Sequence, residues 1–283
     1  MASRILLGSF NKIRPEKRAM IGLGIIGAFA ILAIFAPLFT PYKPDVPVAL
    51  PYSPPSLKNW LGTDNLGQDV MSQIIYGGRI SLMVGLVVAL AATFIGTLVG
   101  VLSGYYRGAT DQGLMRFTDV MLVLPQLPLM IILAAYLGPS INSIIIVLTL
   151  TSWPLVARLI RSQTLSLRER PFTEASRVIG SSNRRIISRV IVPNLLTLIA
   201  ANVVLMITTA VVGEAGLDFI GLGNPSVVSW GTMLYWAQSY ALFNGAWWWV
   251  LAPGLCIALL GLGAVLVSLS IENVFNPRLR ART

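Results

Sequence analysis

Long stretches without charge divide the chain into candidate membrane-spanning helices. The first covers residues 20–38, the second residues 80–106, and a longer one residues 120–156. About twenty apolar residues, at about 1.5 Å per residue in a helix, cross the roughly 30 Å hydrocarbon core of a bilayer. Gly138 and Pro139 interrupt the longest stretch. We therefore predict that it forms two helices joined by a tight turn.

Two further apolar stretches, residues 190–212 and 247–270, bring the expected number of transmembrane helices to six. Basic residues ahead of the first stretch also suit a cleavable signal peptide. No small-residue cleavage site follows that stretch, and Pro37 and Pro41 close it. We therefore expect a first helix that is retained.

Lysine and arginine are distributed unevenly among the connecting segments. Residues 1–19, 158–189 and 276–283 are basic, whereas residues 213–246 contain no Lys or Arg. An even number of spans places the three basic segments on one side, which the positive-inside rule makes the cytoplasm. A run of three tryptophans from Trp247 suits an aromatic belt at the outer interface. The sequence thus predicts that both termini are cytoplasmic.

The composition supports a membrane protein. Hydrophobic residues make up 55% of the chain and charged residues 11%, whereas soluble domains carry about 25% charged residues. The net charge of +10 also suits nucleic acid, but the arginines lie between apolar spans. We therefore expect an all-α, multi-pass protein of the cell membrane that contacts lipid and no nucleic acid. Residues 20–275 would form one transmembrane domain, with an outer cap at residues 40–78.

The chain offers little material for catalysis or metal binding. It has no His and one Cys, Cys256, so we expect no metal site. It has no Gly-x-x-x-x-Gly-Lys phosphate loop, and the span centres lack the ionisable residues of ion-coupled transporters. Glu214 and Asp218 stand one helical turn apart past the fifth span. They suit a catalytic carboxylate pair or a solvated or hydrogen-bonded loop pair, and we favour the loop pair over any catalytic residue.

The basic segment 158–189 carries the clearest local signals. Pro171 suits the first position of a helix, and Gly180 suits the residue just past its end. Ser182, or the serine before it, can cap a second short helix that reaches the membrane near Pro193. Two short helices at an angle would then project into the cytosol. A helix lying on anionic lipid is the alternative.

This segment resembles the EAA loop of ABC import permeases. In that pattern Glu-Ala-Ala is followed after three residues by Gly, and after nine more by Ile-x-Leu-Pro. The spacing fits throughout, with Ser, Val and Val replacing Ala, Ile and Leu. The matching residues are Glu174, Ala175, Ser176, Gly180, Val190, Ile191, Val192 and Pro193. The resemblance implies an ATPase-coupling site that comprises Glu174, Ala175, Ser176, Arg177, Ile179, Gly180 and Pro193.

Further matches resemble the second permease (C-type) subunit of dipeptide, oligopeptide and nickel importers. The outer-cap signature matches at Leu61, Gly62, Thr63, Asp64, Gly67 and Asp69, with Gln68 where Arg is usual. A Leu-Pro element at Leu124, stretches 219–223 and 229–233, and a terminal motif at 277–280 continue the match. Residues 268–273 differ from the usual Asn-Leu-x-Gly-Asp element. The substrate class thus stays open between peptide, oligosaccharide and metal chelate.

The resemblance implies a type I ABC importer permease fold without an ATPase site of its own. The expected partners are a second homologous permease, two ABC ATPase subunits that bind ATP and Mg, and an extracytoplasmic substrate-binding protein. The chain itself would bind no cofactor. The outer cap would contact the binding protein or plug the outer vestibule. A self-sufficient channel or secondary transporter and a membrane enzyme are the rival interpretations.

Overall fold

A computed structural model describes residues 17–241 and 243–275, which are almost entirely helical. The predicted basic N-terminus up to residue 16 and the predicted tail motif at 277–280 lie outside the described residues. In chain order the helices are α1 (Lys17–Ile34), α2 (Ala36–Phe39), α3 (Val70–Tyr106), α4 (Gly108–Val123), α5 (Gln126–Leu137), α6 (Ile141–Arg168), α7 (Pro171–Val178), α8 (Asn183–Ile186), α9 (Val192–Phe219), α10 (Trp230–Tyr240) and α11 (Trp247–Phe275).

Within the described ranges, five helical segments are long and apolar enough to cross a membrane: α1, α3, α6, α8 continued into α9, and α11. Helices α4 and α5 meet at an angle of 88°. They make a sixth span only when this bent pair is counted as one segment. Leu124, which precedes Pro125, is extended at this break, as expected for a residue before proline. The predicted count of six therefore depends on a bent span.

The start of this bent span differs from the prediction. The uncharged stretches 80–106 and 120–156 left residues 107–119, with Arg107, Asp111 and Arg116, as a polar link between two spans, but α4 already begins at Gly108. Asp111 lies in the first turn of that helix, where a carboxylate is favoured by the helix dipole. Charged residues at this boundary therefore start the helix and do not interrupt it.

Helix α3 is the central element of the fold. Its 37 residues extend for about 55 Å at about 1.5 Å per residue, which exceeds the bilayer core. It packs along α6 through glycines: a Cβ added at Gly96 would lie 2.6 Å from the Val156 Cβ, and one at Gly100 would lie 2.6 Å from the Ala157 carbonyl oxygen. Small residues allow helix backbones to approach closely inside a membrane. Gly96 and Gly100 therefore bring the backbones of α3 and α6 into close contact.

The helix that follows the EAA-like segment 158–189, which we call the coupling segment, is longer than predicted. A π-helical turn, Ile187–Ile191, joins α8 to α9, so one helix continues from Asn183 to Phe219. Pro193 has no N–H, and in the widened turn ahead of it the Val192 N–H donates to the Ile187 carbonyl oxygen. The prediction of a second short helix ending near Pro193 is therefore wrong.

Candidate functional site

Helix α7 begins where the sequence predicts. Pro171 occupies its first turn, where the missing N–H costs nothing. Thr173 is buried, and its hydroxyl donates to the Leu167 carbonyl oxygen at 2.8 Å, which fixes the new helix to the end of α6. The start of α7 is therefore fixed by a local hydrogen bond as well as by the proline.

Helix α7 ends in a tight, hydrogen-bonded turn at Gly180. The φ of Gly180 is 80°, a left-handed conformation that side chains disfavour. Its N–H donates to the Arg177 carbonyl oxygen at 2.9 Å, and the Ser181 N–H donates to the Ser176 carbonyl oxygen at 3.0 Å. This bond pair is the Schellman arrangement of a helix C-terminus. Ser182 then accepts the Arg185 N–H and caps α8, as predicted.

The free surface of α7 is apolar at its C-terminal end. Val178 and Ile179 are 83% and 80% exposed, and Phe172 is 44% exposed. Glu174 and Ala175 are exposed on the same short helix. Side chains as large and apolar as these are costly to leave in water. This surface, which we call the coupling surface (residues 172–179), has the composition of a contact site.

Tyr105, near the end of α3, contacts the coupling segment, and sequence patterns did not identify it. Its ring is 3% exposed, and its hydroxyl donates to Asn183 Oδ1 at 2.9 Å. The guanidinium carbons of Arg177 and Arg168 lie 5.6 Å and 6.0 Å from the ring centroid. Both distances are within the range of cation–π attraction. One side chain thus contacts the residues on both sides of α7 and α7 itself.

Two ion pairs hold the same region. Arg107 donates to Glu169, and this contact lowers the pKa of the exposed Glu169 carboxyl. Arg161 donates to both carboxylate oxygens of Asp111 at 2.6 Å, while the Ser103 hydroxyl donates to Asp111 Oδ1 at 2.9 Å. Bidentate arginine–carboxylate pairs fix orientation as well as distance. The base of the coupling segment is therefore held against α3 and α4.

Most residues of the predicted outer-cap signature are buried inside the cap. The Asp69 carboxylate accepts the Ser72 N–H and hydroxyl at 2.8 Å, and the Asn59 side-chain amide at 2.9 Å, which caps α3. Asp64 accepts the backbone N–H groups of Leu66 and Gln68 at 2.8 Å. Burial raises the pKa of the Asp64 carboxyl, against the opposing effect of these donors. Both carboxylates hold the cap together.

The rest of the signature has the same role. Gly62 has a φ of 67°, and a Cβ there would lie 2.6 Å from Trp248 Nε1. That indole N–H donates to the Thr63 carbonyl oxygen at 3.2 Å and ties the cap to α11. The exposed apolar residues of the cap lie elsewhere, with Leu57 97% exposed and Trp60 also exposed. Leu61 is half-buried and Gly67 is buried within the cap.

A cavity of about 320 Å³ lies between the outer cap and α10. Its lining includes Asp45, Gln68 and Trp236, so it offers a carboxylate, an amide and an aromatic ring. Cavities of this size and mixed polarity accommodate small ligands or short chain segments.

Glu214 and Asp218 lie in a different environment from the one expected. Both are in the last turns of α9, and Glu214 is 1% exposed, so the expectation of a solvated loop pair is wrong. The Ser81 hydroxyl donates to Glu214 at 3.1 Å, and the Ser229 hydroxyl donates to Asp218 Oδ2 at 2.6 Å. The hydrogen-bonded character was correct. These contacts join α9 to α3 and to the start of α10.

The described ranges contain no group of three or more Cys, His, Asp or Glu side chains placed to bind a metal ion. The Glu214–Asp218 pair instead accepts hydrogen bonds from serine hydroxyls and acts as a structural joint.

Comparison with known proteins agrees with this architecture. The family described as the binding-protein-dependent transport system inner membrane component matches residues 96–281, and the N-terminal transmembrane domain of oligopeptide transport permease C matches residues 10–55. The dipeptide transport system permease protein DppC of Alkalihalophilus pseudofirmus is 36% identical over 276 residues, which cover 96% of this chain and 90% of that protein.

A Brucella suis biovar 1 protein, named for a permease of a peptide transport system, is 36% identical over 272 residues, with 95% of this chain and 91% of that protein covered. Among solved structures, a chain of the inward-facing MetNI methionine ABC transporter superposes with a TM-score of 0.56 at 20% identity, over 76% of this chain and 98% of that chain. This likeness shows a shared fold. The chain belongs to the inner-membrane permease components of binding-protein-dependent ABC transport systems, as a multi-pass member of their C-type peptide permease branch.

Proposed function

We propose that this chain forms, with a second homologous permease, the translocation path of an ABC importer for peptides or similar small solutes. Two separate ATPase subunits would bind ATP and Mg and drive the cycle, and an external binding protein would deliver the solute. The observation that carries this proposal is the coupling surface, an apolar helix end exposed on a rigidly held base.

The coupling surface suits an ATPase partner. Val178 is the last residue of α7 and Ile179 caps it, so two exposed apolar side chains at the helix end supply contact area. Glu174 adds a charge that can set the register. The turn at Gly180 keeps the helix end compact, so a partner can approach its backbone. A short helix held at both ends transmits a push better than a mobile loop. These features favour a protein partner over contact with lipid alone.

The outer cap would face the binding protein. Its signature carboxylates are used inside the cap, whereas Leu57 and Trp60 remain exposed and the cavity beside α10 stays open. We therefore infer that these exposed groups, and not the signature itself, contact the binding protein or the arriving solute. In this arrangement both chain termini and α7 would be cytoplasmic.

The names of the relatives support peptide as the solute. Two proteins that share 36% of their residues with this chain are named for dipeptide or peptide transport. The cavity chemistry is compatible with this class, because carboxylate and amide groups can bind the ammonium and amide groups of a peptide. Oligosaccharides and metal chelates remain the alternatives to be distinguished by the ligand that copurifies with the binding protein.

Transport would follow from alternating packings of the helices. Closure of the ATPases on ATP would move the paired coupling surfaces and shift the permeases between inward-open and outward-open states. The glycine-mediated contact between α3 and α6 would let these two helices move as one unit, because the backbones touch directly.

Affinity purification of the tagged chain from native membranes tests this proposal. We expect a second permease and ATPase subunits to copurify with it. Ile179→Asp should abolish ATPase recovery, because the side chain is 80% exposed and its replacement leaves the fold intact. The matched control is Leu57→Asp, which changes an even more exposed apolar residue in the outer cap and should retain the ATPases.

The rival interpretations give a different result. A self-sufficient channel, secondary transporter or membrane enzyme would be recovered without ATPases from cells that express the neighbouring subunits. Equal ATPase recovery by Ile179→Asp and Leu57→Asp would overturn the assignment of the coupling surface.

A further inference from the structure

We propose that Tyr105 is the positioning residue that makes the long helix α3 and the coupling helix α7 move as one body. This inference rests on the proposed role of α7 as the ATPase-coupling helix. Neither the coupling motif nor the outer-cap signature includes Tyr105, and its placement follows from contacts between distant parts of the chain.

The ring of Tyr105 is where three elements meet. Arg168 ends α6, Arg177 lies in the last turn of α7, and Asn183 starts α8. The two guanidinium carbons lie within 6.0 Å of one ring centroid, and the hydroxyl donates to the Asn183 side chain at 2.9 Å. A displacement of Tyr105 therefore acts on α7 directly and on both of its flanking segments.

The Tyr105 ring also offsets the repulsion between the positive charges of Arg168 and Arg177. Arg168 and Arg177 carry the same charge and approach the same ring, which has a negative π face that attracts both. Without the ring, two like charges would remain close together at the junction of α6 and α7. Removal of the aromatic ring should therefore drive α7 away from α6 and α3, beyond the simple loss of contact area.

The other attachments of α7 are weaker or more local. The Arg107–Glu169 pair is largely exposed, and exposed ion pairs contribute little. The Thr173 bond joins α7 to the immediately preceding residues and does not reach α3. Tyr105 is buried and belongs to α3 itself. Among these contacts, it is the one able to transmit a force between the two helices.

The distance between spin labels on α3 and α7 tests the inference. Leu98 in α3 and Arg170, which directly precedes α7 and lies outside the coupling surface, are exposed positions, and replacement of the lone Cys256 by Ala gives a background in which both can be labelled as cysteines. The measurement uses the assembled complex, without nucleotide and after trapping with ATP and vanadate. We expect one narrow distance distribution that is the same in both states.

Three variants separate the contributions of the ring and the hydroxyl. Tyr105→Leu removes both and should broaden the distribution by about twofold or more and make it dependent on nucleotide, since the cation–π contact is lost. Tyr105→Phe retains the ring and should stay close to the unmodified chain. Tyr136→Leu changes an exposed tyrosine on α5 and serves as the control. A narrow, nucleotide-independent distribution in Tyr105→Leu would overturn the inference.

The same design distinguishes a failure of the inference from a failure of the proposed function. If no ATPase binds the unmodified chain, the proposed function fails. The comparison of Tyr105→Leu with Tyr136→Leu in the nucleotide-free chain still reports whether Tyr105 holds α7 to α3. A loss of folded protein in Tyr105→Leu is detected by its yield from gel filtration, and Tyr105→Trp, which keeps an aromatic face, should then restore the narrow distribution.

Discussion

The two ends of helix α3 use polar residues in opposite ways. At the end beside the predicted outer cap, which we call the outer end, the Asp69 carboxylate caps the helix and Ser81, about three turns further on, donates to the buried Glu214. At the inner end, Tyr105 is buried beneath a segment whose Val178 and Ile179 side chains are exposed. The outer end turns its signature residues inward, and the inner end presents its signature residues on the surface.

This difference shows that a sequence signature does not by itself identify a contact surface. In the outer cap, the residues of the Leu-Gly-Thr-Asp motif satisfy hydrogen bonds that a loop outside regular structure would otherwise leave open. In the coupling segment, Pro171 and Gly180 set the ends of the helix, while most residues between them stay accessible and Thr173 is buried. Burial distinguishes the two roles, and substitutions at the two ends should therefore affect different properties.

The largest effect on stability is expected at Glu214. Glu214→Ala leaves a void and removes the acceptor of the Ser81 hydroxyl hydrogen, while the Ser81 oxygen still accepts the Trp230 N–H. The void and the lost acceptor together should lower the free energy of unfolding by about 2–4 kcal/mol. Glu214→Gln retains an acceptor and should cost less. Thermal unfolding of the purified chain measures both variants. The ATPase subunits should still copurify with whatever fraction of Glu214→Ala folds, because the outer joint is remote from α7.

The second effect concerns the inner end, where a modest loss of stability should accompany a loss of ATPase docking. Gly180→Val places a β-branched residue at positive φ, with a strain of roughly 1–2 kcal/mol in the turn. Within the described residues no atom lies within 4 Å of an added Cβ, so the effect comes from the backbone alone. A turn that relaxes to relieve this strain must be restored on docking, so ATPase recovery should fall about tenfold, since about 1.4 kcal/mol corresponds to that factor. Gly180→Asn is the control, because asparagine tolerates this conformation.

Retention of the ATPases by Gly180→Val at the level of Gly180→Asn would show that the turn geometry is unimportant for docking. In that case docking at the coupling surface would depend on side-chain contacts alone. The two ends of α3 would then differ only in the exposure of their signature residues, and not in backbone shape.

A smaller effect is expected from Asp69 at the outer end. Asp69→Ala removes the cap of α3 and leaves the Asn59 amide without its acceptor, which should cost about 1–2 kcal/mol. Limited proteolysis of the outer cap should become faster, while ATPase recovery stays normal. Asp69→Asn retains one acceptor oxygen, so its stability should lie between those of Asp69→Ala and the unmodified chain. Loss of the ATPases in Asp69→Ala would contradict the separation of roles.

The smallest effect is a pH dependence that arises from Asp64. Burial raises the pKa of this carboxyl in the folded chain above its unfolded value, so the folded state binds more protons between the two values. Its contribution to stability is therefore present below the unfolded pKa and is lost as pH rises through the folded pKa. Asp64→Asn should remove this component from the pH profile of thermal unfolding, and an unchanged profile would refute its origin in Asp64.

Local sequence rules predicted the parts of the coupling segment that depend on near neighbours. Pro171 at the start, Gly180 past the end and Ser182 as the next cap follow from backbone chemistry within a few residues. The same rules missed Tyr105, whose partners lie between 63 and 78 residues away along the chain. No periodic pattern identifies a ring that collects two arginines, because their approach is set by the packing of α3 against α6.

Two errors in the fold have physical explanations. The fifth span was predicted to end with its apolar stretch at residue 212, ahead of Glu214 and Asp218. Helix α9 continues to Phe219 because the Ser81 and Ser229 hydroxyls donate to these buried carboxylates. In addition, no break was predicted in the chain before α5, where the structure bends. A Leu-Pro pair tolerates both a kinked helix and a full break, and only the surrounding packing selects the 88° turn seen here.

Labelling of single cysteines with a membrane-impermeant maleimide tests the central claim most directly. In a Cys256→Ala background, Leu57→Cys should react in intact cells from outside. Ile179→Cys should react only in inside-out vesicles, and only after the ATPase subunits have been stripped from them. Labelling of Ile179→Cys from outside, or equal labelling before and after the ATPases are removed, would contradict a cytoplasmic coupling surface covered by an ATPase.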